Sequence, residues 1–81
     1  MVSLREAIAL GRLVASGTVT GQAATVATET LYEGLTGKPM DQPSVDFETQ
    51  RQGGDVLGAQ LYLVMRAAIA ADTTERAGRG S

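Results

Sequence analysis

An all-α fold, with two amphipathic helices, a long loop and one nearly all-apolar helix, is predicted by three features of this sequence. A capping box opens a run of helical period near the start. The threonine-rich segment 21–35 fits a helical stripe better than a strand, and 56–71 is apolar almost all round. The whole chain, 1–81, reads as a single helical domain.

The first element begins at Ser3-Leu4-Arg5-Glu6, where the Ser3 hydroxyl can accept from the Glu6 amide while the Glu6 carboxylate reaches back. A helix over 4–16 then places Leu4, Ala7, Ile8, Leu10, Gly11, Val14 and Ala15 on one arc, with Arg5, Arg12 and Ser16 opposite. Gly17 is its natural stop, because glycine takes the left-handed conformation that ends helices.

The second element, in GTVTGQAATVATETLYEGLTG, is decided by counting faces. As a strand, Ala24, Val26, Thr28, Thr30 and Tyr32 would share one face and Thr25, Ala27, Glu29, Leu31 and Glu33 the other, so neither face is a core face. As a helix over 21–35, Ala23, Ala24, Ala27, Thr30, Leu31, Gly34 and Leu35 form one stripe, with Gln22, Thr25, Thr28, Glu29, Tyr32 and Glu33 away from it. Thr20 is the N-cap candidate and Gly37 lies beyond the end. Each threonine opposes the helix by up to ~0.7 kcal/mol relative to Ala, so this element depends on its neighbours.

From 36 to 54 the helical period disappears and both prolines occur, which predicts a loop. Within it, the alternation of SVDFET places Val45 and Phe47 on one side, as in an extended arm or short edge strand that grips a neighbour, with a flexible linker as the equal alternative. The last helix is predicted over 56–71, with Asp55 as N-cap and a narrow polar wedge of Tyr62, Arg66 and Thr73. Asp72-Thr73-Thr74-Glu75 repeats the capping-box spacing, so a new short turn is expected there, within a polar tail over 73–81.

Composition excludes whole classes of chemistry. The chain has 81 residues, no cysteine and no histidine, so neither a disulfide nor a zinc site of the usual ligands can staple so small a core. The commonest nucleophile and general base are missing as well, and no catalytic residue, metal ligand or cofactor site is expected. Glu29 and Glu33 read as a solvated acidic face. Asp41, Asp46 and Glu48 lack the spacing of a calcium loop. Gly34-Leu35-Thr36-Gly37-Lys38-Pro39 lacks both the earlier glycine and the hydroxyl residue of a phosphate loop.

Net charge is −2, with seven basic and nine acidic residues spread along the chain. Two helices joined by GTVTG have the outline of a helix-turn-helix, but the second offers Gln22, Glu29 and Glu33 and no basic residue, so nucleic acid is not an expected partner. The apolar run 56–71 is shorter than the ~20 residues of a spanning helix and contains Gln60 and Arg66, so no membrane role is expected. Arg12 interrupts the apolar run that a secretory leader needs, which places the expected location in the cytoplasm or within a protein particle. The spacings Gly17 to Gly21 and Gly54 to Gly58 read as turn and helix start rather than as helix-pairing motifs.

What remains is the apolar circumference of the last helix, which two short helices cover only in part. The expectation is a non-enzymatic structural or assembly protein, a small subunit of a homo-oligomer or larger particle, a viral particle being compatible. Its partners would be itself or other protein subunits, with no small-molecule substrate. The interface candidates are Leu57, Leu61, Val64, Met65 and Ala68 on that helix, with Val45 and Phe47 from the loop. The alternatives are a small DNA-binding or partner-binding regulator using the first two helices, and a protein inhibitor that docks its apolar helix in a groove.

Overall fold

The computed structural model describes residues 4–79, apart from the side chains of 76, 77 and 79. It is all-helical, with four helices where the sequence predicts three: α1 (Leu4–Ala15), α2 (Gly21–Thr36), α3 (Gln42–Arg51) and α4 (Val56–Arg79). The long last helix is the organising element. α1, α2 and α3 all pack on α4, α1 also touches α2, and α3 packs on α4 alone.

The additional helix, α3, corrects the loop expected over 36–54. Asp41 caps it, its Oδ2 accepting from the Ser44 amide at 2.9 Å, and Pro43 stands in the first turn, where its missing N–H costs nothing. Gln42 donates to Asp46 Oδ1 at 2.8 Å one turn on, and the Thr49 hydroxyl donates to the Val45 carbonyl at 2.6 Å. Helical geometry also separates Val45 from Phe47, since residues two apart lie about 200° apart on a helix. Val45 is 5% exposed and Phe47 61%, so they do not share a side. Gly53 and Gly54, at φ 72° and 97°, then take left-handed backbone that reverses the chain into α4.

α4 starts as expected, with Asp55 Oδ1 accepting from the Gly58 amide at 2.9 Å. A Cβ at Gly58 would collide with that carboxylate, which accounts for the glycine without a partner helix. No new turn begins at Asp72. The helix continues to Arg79, because no glycine or proline interrupts 59–77 and the Thr74 hydroxyl donates to the Ala70 carbonyl at 2.9 Å within it. The capping box at Ser3 lies outside the described residues. Thr20 does hold the N-cap position of α2 in extended conformation, but its hydroxyl makes no capping bond.

The buried stripe of α2 is rotated from the predicted one. Ala24 and Thr28 are wholly buried, Leu31, Tyr32 and Leu35 pack on the core, and Ala23, Thr30 and Gly34 face out. Thr28 can enter because its hydroxyl donates to the Ala24 carbonyl at 2.7 Å, leaving only its methyl to pack. On α1, Ala7 and Leu10 are buried while Ile8 and Ala15 are exposed, narrowing the predicted arc.

The core joins Ala7 of α1 to Val64 and Ala68 of α4, with Leu4, Leu31, Tyr32, Leu35, Met40 and Met65 against them. It is thin: the largest side chains wholly buried among the described residues are Val64 and Thr28. Small residues at the contacts let the helix backbones approach closely, at the cost of apolar area.

Candidate interaction surface

The apolar side chains missing from the core are on the outside. Leu13, Val26, Phe47, Val56 and Ile69 are 42–61% exposed, and Ile8 is 38% exposed. The accessible surface is 5399 Å², against about 4600 Å² for a compact monomer of this mass, 8.4 kDa.

Among the described residues, two surface depressions stand out. A cleft of about 480 Å³ lies between Leu4, Leu35 and the later turns of α4, where Ala67, Ala71, Asp72 and Glu75 line it. Thr36 and Thr74, the two hydroxyls on its rim, are engaged with the Tyr32 and Ala70 carbonyls, both at 2.9 Å. A shallower hollow of about 440 Å³ lies over Leu10, Ala27 and Leu31, between Glu6 and Thr30. Among the described residues no group of three acidic side chains converges on a site for a metal ion.

α3 forms a polar corner. Glu48 is 5% exposed and accepts from Arg51 Nη1 at 3.1 Å, while the Arg51 guanidinium lies 6.0 Å from the ring centre of exposed Phe47. At the start of the same helix Ser44 holds the Asp41 carboxyl below its ordinary value of 3.8, through its hydroxyl first and its backbone amide second. The corner is therefore a helix stitched by its own polar side chains, with one aromatic ring left in solvent.

The outward faces of α2 and α4 have a common pattern. On α2, Gln22, Val26, Glu29 and Glu33 follow one another at steps of four, three and four residues, and all are exposed. On α4, Tyr62, Arg66, Ile69 and Thr73 follow at the same steps, three of them exposed and Tyr62 half-buried under Arg66, whose guanidinium is 5.9 Å from its ring centre. Such steps hold side chains on one side of a helix, so each set is a single face turned away from the core. The first is acidic around a valine. The second is basic around an isoleucine.

The interface candidates drawn from sequence divide by depth. Val64, Ala68 and Val45 lie inside this chain's own core, at 1%, 1% and 5% exposure. Leu57, Leu61 and Met65 are half-buried, and Phe47 is the one fully on the surface. Val26 and Ile69, each 52% exposed, were not singled out from sequence. Their signal was present in both cases, an apolar residue on the polar side of a wheel. Buried Gln60 was missed for the opposite reason, a polar residue on the side that α4 turns inward.

Among the described residues no single helix is long and apolar enough to cross a membrane. Comparison of the chain with protein-family models, with curated proteins and with solved structures finds no match in any of the three.

Proposed function

We propose that this chain is a non-enzymatic structural or assembly protein, a small helical subunit of a homo-oligomer or larger particle. The observation that supports the reading is the inversion of apolar burial: among the described residues no wholly buried side chain exceeds valine in size, while a phenylalanine, two isoleucines, a leucine and two valines stand in solvent. A chain this small gains little stability from so thin a core. Covering the exposed residues with another subunit supplies the missing burial. Particles built from many small helical subunits, viral ones among them, are the setting this reading fits.

The test is molar mass by light scattering across a range of concentrations, with far-UV circular dichroism on the same samples. A helical species heavier than the 8.4 kDa chain, growing with concentration, is the expected result. A folded helical monomer at every concentration would overturn the proposal.

A further inference from the structure

We infer that the partner is a second copy of this chain and that the outward face of α2 in one copy lies antiparallel on the outward face of α4 in the next. The inference rests on the assembly reading above and specifies its contact. The two faces are complementary residue by residue. With Val26 set against Ile69, the shared steps of four, three and four residues bring Glu29 opposite Arg66, Glu33 opposite the Tyr62 hydroxyl and Gln22 opposite Thr73. Each face runs about 16 Å along its helix, three turns of matched contact.

The chemistry agrees along that register. Val26 and Ile69, both 52% exposed, cover one another at the centre. α2 carries two carboxylates and no basic residue, whereas the α4 face carries the Arg66 guanidinium and no acid, so unlike charges meet and like charges do not. Tyr62 donates its hydroxyl to a carboxylate, and its ring already holds the arginine in place.

Because the two faces differ and both point away from the core shared by α2 and α4, the contact is head-to-tail. A copy that has used its α2 face still presents its α4 face. Such contacts close into a ring or continue as a filament. The occupancy of each face by a different neighbour is a stronger statement than dimerisation.

Charge exchange tests it. Glu29→Arg and Arg66→Glu each place like charges across the contact, and each is expected to weaken association roughly tenfold or more. The double variant Glu29→Arg/Arg66→Glu restores the pair and is expected to recover the wild-type molar mass, with helicity unchanged throughout. If the wild type associates but the single reversals leave its mass unaltered, this pairing is overturned and assembly by another surface stands. If the wild type is monomeric at every concentration, both readings fall.

A second measurement does not depend on charge. The chain has no cysteine, so Val26→Cys and Ile69→Cys can be mixed and oxidised without background. The mixed disulfide is expected in excess of its random proportion, read by mass spectrometry. Formation of the two self-disulfides instead, or a random mixture, would overturn the register.

Discussion

Gln60→Met is expected to stabilise the fold, against the usual sign of a core substitution. Gln60 is 8% exposed, lies beside Ala59 at 0% and one turn before Val64 at 1%, and its Oε1 has no hydrogen-bond partner among the described residues. Burying an amide oxygen in that condition costs about 1–3 kcal/mol. Methionine keeps the length and approximate volume of the side chain, so it removes the cost without opening a cavity. Gln60→Ala would instead leave a void and lose part of the gain. A fold of this length, 81 residues, has a total stability of about 4–12 kcal/mol, so a gain near 1.5 kcal/mol is a large fraction of it. Each kcal/mol moves the midpoint of so small a domain by about 4–8 °C, which makes the expected rise in Tm roughly 6–12 °C. The assay is thermal and urea unfolding followed by circular dichroism at one fixed protein concentration, because association itself raises an apparent Tm. The urea m value should not change, since the area exposed on unfolding hardly differs. A lower Tm at unchanged m would refute the reasoning, for it would mean that the amide oxygen is satisfied in solution and that its loss is felt.

Three further outcomes follow from the same structure. Val64→Ala removes two buried methyl groups at the centre of the core and is expected to cost about 2–3 kcal/mol including the void, whereas Ile69→Ala, half in solvent on the same helix, should leave monomer stability within about 0.5 kcal/mol; urea titration of both variants at low concentration checks the contrast. Asp55→Ala removes the carboxylate that caps α4 and should cost about 1 kcal/mol, with Asp55→Asn losing much less, read by the same titration. For Asp41 the folded-state carboxyl is held below 3.8, so its contribution to α3 is complete above that pH and disappears as the pH falls through the lower folded-state value. An NMR titration of the Ser44 amide should therefore show its midpoint under 3.8, and a midpoint at or above it would show that the cap does not hold.

The helical class and the positions of three helices were legible because each rests on a strong local signal. The capping carboxylate of Asp55, the stops at Gly17 and Gly37 and a first helix, over 4–15 against the expected 4–16, all reappear. What misled was SVDFET, whose alternation groups Val45 with Phe47, whereas the ten-residue helix α3 turns Val45 and Glu48, three apart, toward its neighbour. The decisive signal stood just before it, Asp41 followed by Pro43, an N-cap with proline in the first turn. The rotation of the α2 stripe was not legible from hydropathy. Thr28 counts as polar until its hydroxyl is returned to the Ala24 carbonyl, and that bond exists only once the helix does. The same limit hid Glu48, which is buried because Arg51, one turn on, partners it.

The helices differ greatly in length. α4 has 24 residues and extends about 36 Å, whereas α1, α2 and α3 have 12, 16 and 10 and extend about 18, 24 and 15 Å. Three shorter helices set around one long one leave part of its circumference bare whatever their side chains, and the chain's long dimension of 42 Å against 27 and 19 Å reflects that mismatch. The bare part is not uniformly polar, as a solvated helix face would be. It carries Tyr62 and Ile69 with a single cation between them, while the bare side of α2 carries a valine followed by two carboxylates, Glu29 and Glu33. Either face alone is an ordinary surface feature. Matched in spacing, opposite in charge and placed on the two helices that share the core, they carry the pairing of copies proposed above.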